Sequence, residues 1–277
     1  MLSYPYLWDE ESLGGGGVEI VTWADGTDEQ VKNMILAAQN GEIILSDYWS
    51  VGDERDITLA AMEKTDYMYQ AHREQTVTIV LYDSNGLYGI EYNLTTYLHN
   101  GFKVSFVAGF KNMTSNSNGD ADAEFINTTN LTAGVAWEDS SAKRFCNEVV
   151  LKALPQWLQD VILSVYVHTG RYNRNNKTKG TLNGSFNKIF YLAEKEVQGV
   201  KTYSTQLEYD QLTQLDYFII NPSNKIKYYK DGFSLNWWLR SPYYNSPYSY
   251  CSVSSTGYAD YNSVTSGVCG FAPAFCF

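Results

Sequence analysis

The sequence predicts an α+β fold of short antiparallel strands, two or more helices and long loops. Three observations predict it. Apolar residues recur at helical spacing in only a few stretches, alternating strand-like runs lie between them, and everything from Trp237 onward lacks a helical period. In chain order, Gly14 to Gly17 form a flexible joint, so residues 1–17 read as an N-terminal arm and linker and 18–277 as one domain. Residues 18–23 read as a short strand. Thr27 or Asp28 caps a helix whose Val31, Met34, Ile35 and Ala38 fall at i, i+3, i+4 and i+7, and Gly41 ends it. Residues 42–48 and 56–60 read as strands around the turn Val51-Gly52-Asp53, and 76–82 and 102–110 as further strands. Residues 112–131, rich in Asn, Ser, Thr and Gly, read as a long loop. Ser140 or Ser141 caps a second helix with Phe145, Val149 and Ala153 on one face. Pro155 opens a third, with Trp157, Val161, Ile162 and Val165 aligned. Residues 171–179 form a basic loop, read as a solvated hairpin tip in preference to a binding patch. Residues 186–192 read as a strand and 206–219 as helix-prone.

Composition narrows the function. Of 277 residues 44% are hydrophobic, enough to bury a real core. The net charge of -11 repels phosphate, which argues against broad binding of nucleic acid or anionic membranes. No apolar run approaches membrane-spanning length, so membrane insertion is not expected. The N-terminal MLSYPYLWDEES lacks a basic region and an apolar core, so it reads as no secretory signal. Four cysteines (Cys146, Cys251, Cys269 and Cys276) follow no disulfide-scaffold or zinc spacing, and no cofactor or metal is expected. The unusual component is Tyr, 23 residues, whose rigid face and hydroxyl suit both binding surfaces and β-rich cores.

From Trp237 the chain reads WWLRSPYYNSPYSYCSVSSTGYADYNSVTSGVCGFAPAFCF. Upstream it carries DYWSVGDERDITLAAM from Asp47 and FYLAEKEVQG from Phe190. These motifs, in this order, resemble the bacterial and phage DUF6273 domain family, whose C-terminal signature runs WW-x-RSP, a variable Ser/Asn/Tyr stretch, then G-x-x-PAF. The resemblance covers most of the chain from about Trp23 to Phe277. The same architecture is similar to variable proteins of diversity-generating retroelements, in which a reverse transcriptase with adenine-directed errors rewrites the 3′ end of one gene. The resemblance implies a C-type-lectin fold of the formylglycine-generating-enzyme type. It also implies mutable side chains on one ligand-binding face, displayed on phage tails or cell surfaces to bind receptors.

The residues agree with that reading in one respect. From Tyr243 to Phe277 the only charged residue is Asp260, and Lys, Glu, Gln, Met and Trp are absent. Those five are the amino acids that no codon ending in a pyrimidine encodes, so adenine mutagenesis of AAC-type codons never yields them. Trp237 and Trp238 are expected to anchor the core, with Arg240 paired to a buried carboxylate or backbone carbonyls. Matching the family pattern, Cys251, Val253, Gly257, Ala259, Gly270, Ala272, Pro273 and Cys276 are expected to be fixed. The interleaved Tyr243, Tyr244, Asn245, Ser246, Tyr248, Ser249, Tyr250, Ser252, Ser254, Tyr258, Asp260, Tyr261, Asn262 and Ser263 are expected to be free and to bind ligand, within a variable region 243–269. Strand alternation with Cys251 and Val253 inward puts Tyr250, Ser252 and Ser254 outward.

Chemistry is weakly signalled. His72, His99 and His168 are scattered outside any catalytic motif. Glu194 and Glu196, on an expected strand, read as one structural ion pair and one solvated charge. Cys251 and Cys276 read as small apolar residues or as one disulfide, and Cys269 as a chance product of diversification. The expectation is therefore a non-enzymatic, phage or prophage tail-associated adhesin, located on a virion or bacterial surface. Its partner is a protein or glycan receptor on a target cell, and a homotrimer, or attachment to a tail or baseplate protein through the N-terminal arm, fits that role. The alternatives are a formylglycine-generating-enzyme-like oxidase and a non-diversified structural virion or surface domain.

Overall fold

A computed structural model describes residues 17–84, 89–92, 96–97, 104–115, 123–230 and 232–277. The arm 1–16, His99 and residues 102–103 lie outside the described residues. Helix α1 (Asp28–Gln39) forms as predicted, because Thr27 and Gln30 complete a reciprocal capping box and Val31, Met34 and Ile35 are buried. Residues 18–23 make no strand. Side chains claim their backbone instead: Trp49 Nε1 donates to the Val21 carbonyl (2.9 Å) and Arg55 to that of Trp23 (2.9 Å). Trp23 lies inside, stacked on Phe277 and tilted against Trp49. Residues 42–48 hold a single 3-10 turn, Leu45–Asp47, not a strand; Leu45 is buried and Ile43 partly so, while Ile44 is exposed.

Strands β1 (Glu54–Leu59), β2 (Gln75–Asp83), β3 (Gly89–Tyr92), β4 (Thr96–Tyr97), β5 (Val107–Phe110) and β6 (Ala123–Glu124) follow. Ser140 then caps a continuous helical run, α2 (Ser141–Arg144), a π-helical stretch Phe145–Val150 and α3 (Leu151–Ala153). The wide π turn puts Val150 inward with Phe145 and leaves the predicted Val149 half-buried. Pro155 precedes α4 (Gln156–Val161), which ends before Val165, so Val165 opens a strand and joins no helix.

That strand, β7 (Val165–Arg171), forms a hairpin with β8 (Thr181–Asn187), and the predicted basic loop is its tip. The predicted strand 186–192 breaks at Lys188, where Asn147 Oδ1 accepts from the backbone of both Lys188 and Ile189, and resumes as β9 (Ile189–Phe190). Helix α5 (Glu194–Gln198) stands where a strand was expected, and 206–219 divides into α6 (Gln206–Tyr209) and α7 (Asp216–Ile220). Residues 228–277 supply β10 (Tyr228–Lys230), β11 (Phe233–Ser234), β12 (Trp237–Pro242), β13 (Ser249–Val253), β14 (Ala259–Ser263), β15 (Cys269–Gly270) and β16 (Ala274–Cys276).

The fold is thus α+β with short, mostly antiparallel strands and few helices. The larger sheets run β1-β2-β5-β16-β9, β14-β13-β12-β15-β6 and β4-β3-β7-β8. The last residues close the structure: β16 lies between β5 and β9, and Phe277 joins Trp23, Trp49 and Phe106 in the core.

Candidate functional site

Strand β12, read WWLRSP, buries all six of its residues. Trp237 Nε1 donates to the Lys225 carbonyl (2.9 Å) and Trp238 Nε1 to that of Glu124 (2.5 Å), so each indole is buried with its one polar atom satisfied. Arg240 meets both expected kinds of partner. Its guanidinium forms a two-pronged pair with Glu196 (2.6 and 2.8 Å) and also donates to the carbonyls of Tyr191 (2.8 Å) and His168 (3.1 Å).

Glu194 is not the solvated charge expected. Both glutamates lie on a helix and both are buried. Glu194 accepts from the backbone N–H groups of Thr202, Tyr203 and Ser204 and from the Ser204 hydroxyl (2.7–3.1 Å). The geometry requires the chain to double back, and Gly199, left-handed at φ 76°, makes that turn. Glu194 thereby draws the 202–204 loop beside β12, where the Tyr203 carbonyl accepts from the Tyr244 backbone N–H (2.8 Å).

The consequence is a cluster of four tyrosines. Tyr243 and Tyr261 stack at 4.2 Å, Tyr203 meets both edge-on at 5.6 and 5.0 Å, and Tyr244 meets Tyr243 edge-on at 5.2 Å. The Lys201 ammonium lies 5.2 Å over the Tyr244 ring. Burial, then the nearby Asp260, raises the Tyr203 hydroxyl above its ordinary pKa. Tyr203 and Lys201 escape sequence reading, because only the fold of Glu194 brings them here; their one signal is that they follow the EKEVQG motif directly.

The structure places the other predicted ligand-binding residues unequally. Asn245 and Ser263 are exposed, and Ser246, Ser249, Ser254, Asp260 and Asn262 are half-buried. Tyr248 and Tyr258 are exposed at opposite ends of the β13–β14 pair. Tyr250 and Ser252 are corrections: both are buried. Strand β13 is an interior strand, covered on both faces, so alternation there does not separate inside from outside. Tyr250 donates its hydroxyl to the Val135 carbonyl (2.9 Å), and Ser252 Oγ accepts from Asn262 (2.9 Å). The register sets Tyr261 opposite Cys251 but Asp260 opposite Ser252, so Asp260 and Asn262 lie on the other face of the sheet from Tyr261. Toward the far end of region 243–269, Val264 and Cys269 are buried as well, while Val268 between them is exposed.

Of the positions expected to be fixed, Ala259 is half-buried and the others lie inside. Gly257 makes its turn at φ 88°, the Pro273 carbonyl accepts from Phe110, and Cys251 and Cys276 are buried. All four cysteines are free thiols, so Cys251 and Cys276 form no disulfide, and burial raises each thiol above its ordinary pKa. His72 is buried, with Nε2 2.9 Å from Glu124 Oε1. Below the cluster, Ser241 donates to Glu208 (3.1 Å) and accepts from the Glu194 backbone (2.9 Å). Burial pushes Glu208 up to about 8, against the pull of Arg240, so it holds a proton at neutral pH.

Residues 115–277 match the DUF6273 family, described as "Domain of unknown function (DUF6273)". No curated protein and no solved structure matches the chain.

Proposed function

The chain belongs to the DUF6273 family, whose match covers more than half of its length, and from that premise we propose that it is a ligand- or receptor-binding protein of phage-tail or cell-surface type. Its fold in this proposal is of the C-type-lectin kind, and its exposed Tyr, Ser and Asn side chains are the positions that diversification changes. The observation that carries the reading is the tyrosine cluster: Tyr203, Tyr243, Tyr244 and Tyr261 in mutual contact, beside a strand with no exposed residue. Such rings bind by stacking while neighbouring hydroxyls and amides adapt their hydrogen bonds, the chemistry of antibody paratopes. A frame already ordered limits what binding must immobilise. The four buried, high-pKa thiols favour this reading over a thiol-dependent oxidase, which works through an accessible thiolate.

Labelled full-length protein, screened by flow cytometry on panels of bacterial cells, identifies a target strain. Replacing Tyr243, Tyr244 and Tyr261 together by Ala is expected to abolish staining and to leave far-UV circular dichroism unchanged. Undiminished staining by that variant would remove the proposal. Diversification is tested separately: a neighbouring reverse-transcriptase gene and a near-copy of the gene's 3′ end differing at adenines are expected, and their absence leaves binding without diversification.

A further inference from the structure

We propose that the β7–β8 hairpin tip forms an anion-binding subsite next to the tyrosine cluster, and that the ligand spanning both is a carboxylate-bearing polysaccharide. The inference rests on the ligand-binding reading above and names its ligand class.

The first observation is charge. In a chain of net charge -11, residues 171–193 contain Arg171, Arg174, Lys177, Lys179 and Lys188 and not one Asp or Glu. Arg174, Lys177 and Lys179 are exposed, and among the described residues no carboxylate lies within salt-bridge distance of them or of Arg171. Glu138, which accepts from Thr169 and Asn183, is taken up within the strands and not at the tip.

The second is rigidity. Asn173 Oδ1 accepts from the backbone of Asn175 and Asn176, and Asn176 Oδ1 from that of Lys179. The tip is also tied to the body: the backbone of Gln206 donates to Thr178 (2.9 Å) and that of Leu207 to Lys179 (3.2 Å). Gly180, at φ 67°, lets Thr205 close upon it. A cationic loop held this way is ordered before a ligand arrives.

The third is shape. A cleft of ≈ 550 Å³ opens at the tip, lined by Thr132, Arg171, Tyr172, Asn173, Arg174 and Thr181. That is the size of a small-ligand site. Two guanidinium forks suit carboxylates, and the Thr hydroxyls and the Asn173 amide suit sugar hydroxyls. A run of acidic side chains offers the carboxylates but not the hydroxyls that those groups match.

The fourth is continuity. Gly134, left-handed at φ 78°, packs closely on both Tyr172 and Pro247, and Lys177 Nζ lies 3.3 Å from Asn245 Oδ1. The cleft therefore adjoins the loop 243–248, which leads to Tyr244 and Tyr243. A chain of sugars laid in the cleft continues onto the rings.

The test is retention of the full chain in gels containing polygalacturonate or polysialate, with methyl-esterified polygalacturonate and poly-glutamate as comparisons. Retention by a carboxylated glycan is expected, weakening as salt rises. The double variant R171Q/R174Q should lose at least tenfold in affinity and K188Q should not change, both with unaltered melting temperature. Equal retention by the methyl ester, stronger retention by poly-glutamate, no retention by either carboxylated glycan, or no loss in R171Q/R174Q would overturn the subsite. The stained target strain separates the two readings. Staining kept by R171Q/R174Q but lost by the three-tyrosine variant sinks the subsite alone, and staining kept by the three-tyrosine variant sinks the binding-surface reading.

Discussion

Strands β12 and β14 belong to one sheet, separated only by β13, and they behave oppositely. Strand β12 buries every residue, whereas β14, on the sheet edge, buries none. The difference teaches that exposure in this region is decided by position across the sheet, not by alternation along the strand. Strand β12 carries the chemistry that cannot change: two indoles and a guanidinium, each with bonds to fixed partners. On strand β14 the Asn262 side chain donates to the buried Ser252, and those of Ser263 and Tyr261 hydrogen-bond to no buried group among the described residues. The largest expected effect follows directly. Replacing Glu196 or Arg240 by Ala strands a buried charge and should destabilise the fold by about 3–5 kcal/mol, while Ser263→Ala on β14 should stay within about 0.5 kcal/mol. Urea unfolding of the variants makes the comparison, and similar losses at the two sites would break it.

The β12 side also carries a titrating group. Folded, Glu208 keeps its proton to about pH 8; unfolded, it releases it near its ordinary 4.5. Between those values the unfolded chain binds fewer protons than the folded one. The contribution of Glu208 is therefore full below about 4.5 and is lost as pH rises through about 8. Glu208→Gln should flatten the fall in stability between pH 5 and pH 8 and leave binding by the rings intact. A fall of the same slope in the variant would assign it to other groups. A smaller effect lies on the strand between: Tyr250→Phe leaves the Val135 carbonyl without its donor and should destabilise by about 1–3 kcal/mol, where an exposed tyrosine would show almost nothing.

The same contrast explains what was legible in the sequence. The cap at Thr27, the cap at Ser140, the hairpin tip and the anchoring of Trp237, Trp238 and Arg240 rest on local chemistry or on side chains too large or too polar to lie anywhere else. Tyr250 and Ser252 were not legible, since their burial depends on which strands flank β13. Glu194 and Tyr203 were not legible for a related reason. A carboxylate bound by three successive backbone N–H groups brings a loop to the site through contacts eight to ten residues apart, which periodicity does not record. Residues 18–23 fail differently: their pattern suits a strand, but an indole and a guanidinium take their carbonyls first. Of the cluster itself, Tyr243, Tyr244 and Tyr261 read from the sequence as surface residues; Tyr261 is exposed and the other two are half-buried, and what brings them together is the turn after β12 and the register of β14.

The smallest expected effect is the most discriminating. Tyr243 and Tyr261 stack at 4.2 Å, and ring pairs of this kind contribute about 0.5–1.5 kcal/mol. Tyr261 remains 42% exposed in that contact. Tyr261→Ala should therefore destabilise by about 1 kcal/mol or less, and Tyr243→Ala by somewhat more, since Tyr243 is half-buried and its loss also gives up the contact with the Tyr244 ring. The double variant should fall short of the sum, because each single change already removes the shared contact. The cycle is measured by urea unfolding, with binding to the target strain read in parallel. A binding surface gives small losses of stability with large losses of staining. A structural cluster gives the reverse, and in that event the exposed edge of the sheet would be no different in kind from the buried strand two places in.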